Sequence, residues 1–329
     1  MSSLLEVEDL HVWFQPPQAE PVHAVQGVSF ALEPGERFGL VGESGCGKTT
    51  TILAMMGLLP PNSALAGHVR LNGTDVLAGG EDGVRKFRWK DIAMVFQGAM
   101  NALNPVKKVG WQIAEPMAFH GIADGKAALT RAGELLELVG IPARSAERYP
   151  HEFSGGMRQR ASIAMALACE PKILLADEPT TALDVMVQAQ ILELLTRLAD
   201  ELGLAVVLVT HDLPVVAQVC HRAAVMYAGE IAETGPMDQL FHAPRHPYTR
   251  LLFAATPDLY GQDTVTSIPG APPRLDRPVT GCAFRPRCDV AMDRCAADHP
   301  PLLAVGEQHL AACLRAEAGE ALAEAGRHE

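Results

Sequence analysis

Residues Gly42-Glu43-Ser44-Gly45-Cys46-Gly47-Lys48-Thr49 satisfy the spacing G-x-x-x-x-G-K-[ST] directly behind the apolar stretch Arg37 to Val41. A strand that turns through glycines into a helix constrains the fold strongly. The glycines let successive backbone N–H groups point inward at phosphate oxygens, and the helix that follows adds the positive end of its dipole. In that arrangement Ser44, Gly45, Cys46 and Gly47 line the cradle, Lys48 reaches the β and γ phosphates, and Thr49 holds Mg²⁺ beside Thr50. Thr50 to Met56 continue as a helix that stops at Gly57. A nucleotide phosphate site in an α/β fold is the expectation.

The 329 residues exceed one average domain, and 48% apolar content supports a large core. No apolar run approaches the roughly eighteen residues a membrane span needs; the best, Leu204 to Val209, reads as a buried strand. Met1 to Glu6 lacks the basic start and apolar segment of a secretory signal, so the chain is expected to stay in the cytoplasm. A net charge of −12 argues against a nucleic-acid partner. Seven cysteines in a reducing compartment read as thiols or metal ligands, and four of them, Cys282, Cys288, Cys295 and Cys313, fall within the last fifty residues.

Taken in order, Leu4 to Phe14 and Val25 to Leu32 alternate as strands around the loop 16–21, with Phe14 able to pack or to stack on a base. Gly67 to Val76 reads as an edge hairpin, and Ile92 to Phe96 as a strand ending at Gln97. Residues 98–160 turn helical, clearest in the face Ala128, Leu129, Ala132, Leu135, Leu136 and Val139. Ser154 is a good N-cap, and Gly155 and Gly156 behind it free N–H groups for a second anion site. Ile173 to Glu178 is an apolar strand ending in two carboxylates, Asp177 suited to Mg²⁺ and Glu178 to deprotonating an attacking water. A helix with Val187, Ile191, Leu195, Leu198 and Leu202 on one side leads to the strand Ala205 to Thr210 and to His211. Residues 223–234 alternate again, and Met237 to Leu252 reads as helix broken at Pro244 and Pro247. From Pro257 prolines multiply, which predicts a linker and an appendage, and Ala316 to Glu329 reads as a frayed helix or disorder.

Together these motifs resemble the ATP-binding subunit of an ABC transporter across residues 1 to about 250. Gly42 to Thr49 resembles Walker A, Ile173 to Glu178 Walker B, and Gln97 the Q-loop glutamine that touches Mg²⁺ and the membrane partner. Ser154, Gly155, Gly156 and Met157 resemble the signature motif, Asp184 the D-loop aspartate, His211 the switch histidine that senses γ phosphate, and Phe14 the aromatic that stacks on adenine. Phe153 and Met157 depart from the common signature as they do in the subfamily importing di- and oligopeptides, nickel and some oligosaccharides. His246-Pro247-Tyr248-Thr249, Ile268-Pro269-Gly270 and Gly281 to Cys288 resemble that branch's C-terminal extension.

The resemblance implies a P-loop NTPase core with an antiparallel β subdomain, a helical subdomain over 98–160, an ATP-binding domain over 1–250, a cysteine-containing extension over 251–316 and a tail over 317–329. It implies an ATPase that powers peptide import, with a soluble ABC ATPase or a nickel or oligosaccharide importer as alternatives. The partners it implies are a second, paralogous ATPase subunit, two membrane permease subunits and an extracytoplasmic binding protein, with the chain at the cytoplasmic face of the inner membrane. The cysteine intervals of five, six and seventeen residues match neither a zinc ribbon nor a ferredoxin run. By spacing alone they leave zinc and iron–sulfur both open; the resemblance favours a [4Fe–4S] cluster, with Zn²⁺ as alternative. Cys46, Cys169 and Cys220 read as packed thiols.

Overall fold

The computed structural model describes residues 3–98, 102–255 and 267–317. Residues 318–329 of the expected tail and 257–266 of the expected linker lie outside them. The chain divides into two compact units, one formed by Met1–Ala31, Phe38–Asp75 and Thr210–Glu329, the other by Leu32–Arg37 and Val76–Val209.

The first unit opens with β1 (Leu5–Phe14) and β2 (Val22–Leu32), continues through β3 (Arg37–Val41) into α1 (Lys48–Met55), and then forms β4 (Ser63–Leu71) and β5 (Thr74–Asp75). One sheet has the order β2-β1-β4-β5. β1 and β4 run antiparallel with Leu5 opposite Leu71 and Val7 opposite Val69. A bulge between Glu8 and His11, with Asp9 at φ 48°, resets the alternation, so that Leu5 and Val7 before it and Leu10 and Val12 after it are all buried. The expected edge hairpin is present, Arg70 of β4 facing Asp75 of β5.

In the second unit, α2 (Gly80–Arg85) and β6 (Ile92–Val95) precede the helices α3 (Val109–Phe119), α4 (Gly125–Leu138) and α5 (Gly155–Ala166), followed by β7 (Ile173–Asp177), α6 (Val185–Leu202) and β8 (Ala205–Thr210). β6, β7 and β8 are parallel neighbours, with Ile92 level with Ile173 and Ile173 level with Ala205. Apart from Asp177 and Thr210 at their carboxyl ends, the three strands are apolar because helices cover them, as parallel strands require. Ile113, Met117, Leu135, Leu136, Val139, Phe153, Ile163, Leu174, Leu195 and Leu198 share one core. Burying each such side chain contributes about 1.5–3 kcal/mol. Two residues expected on buried faces are not there. Leu129 sits on the flank of α4 and is 41% exposed, and Leu202 ends α6 beside Gly203 in the left-handed region, beyond the reach of the core, and is 52% exposed.

The first unit resumes with α7 (Leu213–Val219), β9 (Arg222–Tyr227), β10 (Glu230–Pro236), α8 (Met237–His242) and α9 (Pro247–Ala254). Pro247 starts α9 rather than breaking a helix, since its missing N–H costs nothing in a first turn. β3 lies parallel to β9, and β9 antiparallel to β10. Instead of alternating, both β9 and β10 are buried almost throughout. A hairpin the sequence reading missed, β11 (Leu303–Gly306) with β12 (His309–Ala311), extends the sheet beyond β10 by pairing Glu233 with Ala311 and Thr234 with Leu310. The proline-rich run 269–273 holds no helix or strand, as expected. A last turn, α10, covers Leu314–Glu317.

Candidate active site

The loop between β3 and α1 has the backbone that its glycines require. Gly42 at φ 150° and Gly47 at φ 108° stand where a Cβ would collide with the carbonyl oxygens of Met226 and, at 2.6 Å, Ala24. At Gly45, φ 81°, a Cβ would meet nothing within 4 Å, so the middle of the loop faces open space. α1 has no side-chain cap, because its N-cap is Gly47. Lys48 is 6% exposed, and its Nζ donates to the carbonyls of Gly42 at 2.7 Å and Glu43 at 3.0 Å. Its ammonium therefore lies folded inside the loop. Cys46 packs beneath it, and burial pushes the thiol's pKa upward. Donor N–H groups, a helix N-terminus and an internal cation make a site for a polyphosphate.

In the other unit, β7 ends at Asp177, 2% exposed, and the chain turns at Glu178 with φ 42°, a left-handed conformation uncommon for glutamate. The Glu178 N–H donates to Val209 at 2.8 Å, which pins the turn. Its carboxylate accepts from Gln97 Nε2 at 2.7 Å and from Thr181 Oγ1 at 2.9 Å. Gln97, Asp177 and Glu178 thus gather at the carboxyl ends of β6 and β7, where parallel sheets bind ligands. Thr181 belongs to this group and was not singled out by sequence.

Ser154 caps α5 by accepting the Met157 N–H at 3.3 Å, and a Cβ on Gly156 would press on Val187 at 2.8 Å. Asp184 caps α6 in the same way, taking the Val187 N–H at 2.9 Å. The two residues after it, Val185 and Met186, are 78% and 73% exposed. Phe14, half-buried, closes β1 opposite Ser63, and His211 is exposed immediately after β8.

The four late cysteines are free thiols that line one cavity with His246, Phe284, Arg285 and Arg315. Burial pushes Cys288 up to about 11, with a smaller rise at Cys282. Backbone N–H groups of Phe284 and Arg285 are directed at the Cys282 sulfur, and that of Val290 at Cys288. Among the described residues, however, no group of three His, Cys, Asp or Glu side chains is arranged so that it could hold a metal ion. The cavity brings the thiols to one place without closing them into a ligand cage. Cys46, Cys169 and Cys220 are buried, as expected.

Known proteins can now be set beside this geometry. Residues 25–181 match the ABC transporter family, and residues 232–295 match the oligopeptide/dipeptide transporter C-terminal region. The oligopeptide transport ATP-binding protein OppD of Bacillus subtilis is 48% identical over 315 residues, covering 94% of this chain and 88% of that protein. A putative peptide import ATP-binding protein of Brucella abortus is 46% identical over 329 residues, covering 95% of this chain and 97% of the relative. OppD of Mycobacterium tuberculosis is 49% identical over 322 residues, but there the chain spans only 52% of the relative's length. Among solved structures, the dimeric ATP-binding cassette MJ0796 bound to ADP and Pi is similar with a TM-score of 0.63 and 31% identity, over 71% of this chain and 98% of that one.

Proposed function

This chain belongs to the ABC transporter family, and we propose that within it the chain is the ATP-hydrolysing subunit of an importer of di- and oligopeptides. The observation that carries the reading is the phosphate loop, with its uncapped helix, its two sterically enforced glycines and Lys48 held inside. Peptide as cargo draws its support from the match over 232–295 and from the names of the similar proteins. The domains proposed are an ATP-binding domain over 1–250 with its helical subdomain at 98–160, and an extension over 251–316.

ATP is the substrate. Phe14 stacks on its adenine, Lys48 neutralises the β and γ phosphates, and the N–H groups from Ser44 to Thr50 grip them. Thr49, Gln97 and Asp177 offer the hard oxygen ligands that Mg²⁺ prefers, and the bound ion neutralises phosphoryl charge. Glu178 takes the proton of the attacking water, and His211 senses the γ phosphate. Ser154, Gly155, Gly156 and Met157 present N–H groups to the nucleotide of a second ATPase subunit, with Asp184 at that interface. The exposed Val185 and Met186 beside Asp184 support a protein surface there. Among the described residues no helix is long and apolar enough to cross a membrane; in this reading the chain attaches to the cytoplasmic face through permease subunits.

Lys48→Ala tests the core of this reading: ATP affinity should fall about tenfold or more, because a buried cation is lost from the phosphate cradle. Equilibrium nucleotide binding to the purified chain reads it, and unchanged affinity would reject the site.

We also propose that Cys282, Cys288, Cys295 and Cys313 close on a [4Fe–4S] cluster, with Zn²⁺ as the alternative. What supports this is that all four line one cavity, that Arg285 and Arg315 in its wall offset the charge of such a group, and that backbone N–H groups already point at two of the sulfurs. A bound group would tie these loops together. Anaerobically purified protein should be brown with about four iron and four sulfide per chain, and Cys288→Ser should bleach it while ATP binding survives. One zinc without iron would select the alternative, and no metal at all would reject both.

A further inference from the structure

Glu43 places a carboxylate in the loop that receives a polyanion, and the structure shows what neutralises it. Arg287, 244 residues later and between Cys282 and Cys288 of the extension, forks onto that carboxylate with Nη1 to Oε2 at 2.6 Å and Nη2 to Oε1 at 2.9 Å. Such a bidentate pair fixes direction as well as charge. The Arg287 side chain is only 3% exposed, against 26% for Glu43. It is held from behind by the carbonyls of Pro269 at 2.8 Å and Ile268 at 3.5 Å, and its guanidinium lies 5.8 Å from the Tyr227 ring centre and 5.9 Å from that of Phe284.

The Glu43 backbone is held too. Its N–H donates to Tyr248 Oη at 3.0 Å, and its carbonyl accepts from Lys48 Nζ at 3.0 Å. Tyr227, Tyr248 and Phe284 pack together with ring centres 4.6 to 5.3 Å apart. The extension therefore grips the residue whose carbonyl holds Lys48.

We propose that Arg287 is a positioning residue of the nucleotide site: it cancels the Glu43 charge and holds that side chain and its peptide in the shape that accepts a polyphosphate. The proposal rests on the reading of this loop as the ATP site. Without Arg287 the loop keeps an unpaired carboxylate whose repulsion acts directly on ATP. A residue that only braced the extension would have no such charge signature.

The test is equilibrium binding of ATP to the full chain, with thermal melting alongside. Arg287→Gln should weaken ATP binding about tenfold, Glu43→Gln should tighten it about threefold, and the double variant should return to within about threefold of the parent. Recovery of ATP affinity in the double variant while the melting temperatures of the two Arg287→Gln chains stay alike is the decisive result, since a structural loss relieved by removing the stranded carboxylate would restore melting and affinity together. Unchanged affinity in Arg287→Gln, or a double variant as weak as Arg287→Gln, overturns the proposal. Should Arg287→Gln not fold, Glu43→Gln carries the test alone, and tenfold weaker binding there overturns it. Lys48→Ala separates the two levels: if the parent binds no ATP the site reading fails, whereas a parent that binds and an Arg287→Gln chain that binds equally well fail only the positioning role.

Discussion

Glu178→Gln lowers ATP turnover by about a hundredfold or more while ATP affinity stays within a factor of about three, the range expected when a general base is lost and the binding groups are kept. The substitution is close to isosteric, and the amide oxygen can still accept from Gln97 and Thr181, which hold the carboxylate at 2.7 and 2.9 Å. The Glu178 N–H bond to Val209 and the left-handed turn are backbone features that the change does not touch. What disappears is the basic oxygen that takes a proton from water, and that group contributes only once the reaction begins. The phosphate cradle around Lys48 keeps its carbonyl contacts. Steady-state phosphate release and nucleotide binding, measured on the same preparation, check both halves. Undiminished turnover would remove Glu178 from the chemistry, and a parallel collapse of affinity would make it a binding residue.

The phosphate loop and the carboxylate pair were legible in the sequence because each is local. Eight consecutive residues dictate the loop's backbone, with Gly42 and Gly47 required wherever neighbouring carbonyls crowd the chain. Likewise an apolar strand that ends in Asp177-Glu178 places both groups at the edge of a sheet. What the sequence hid is non-local. Glu43 and Arg287, or Glu233 and His309, are separated by 244 and 76 residues, and nothing in either neighbourhood announces its partner. The hairpin β11–β12 was masked by the prolines around it. The cysteines were legible as a set, since composition alone isolates them, whereas the single cavity that they line depends on how residues 246–247 and 282–315 fold together.

Acidification should cost this fold about 3 kcal/mol through His246 alone. That ring is 4% exposed and works only as the neutral base. Its Nδ1 accepts the Tyr248 N–H at 3.0 Å and so caps α9, while the ring also bonds to the backbone of Ala312. Burial pulls its pKa from 6.5 down to about 4, against the opposing pull of Glu233. Glu233, fully buried, meanwhile accepts N–H bonds from Arg245 at 2.6 Å and His246 at 2.9 Å and pairs with His309 at 2.6 Å, so three partners already satisfy it. Because the folded pKa is depressed, the unfolded chain binds more protons between pH 6.5 and 4. The His246 contribution is therefore complete above pH 6.5 and is lost as pH falls towards 4, at about 1.4 kcal/mol per unit. His246→Asn keeps an N-cap acceptor and removes the titration. Urea unfolding of both proteins at pH 7 and pH 4.5, compared as a difference so that the other histidines cancel, should show the variant losing less stability on acidification by about 2–3 kcal/mol. Equal acid sensitivity in the two proteins would show that His246 is not the group that titrates.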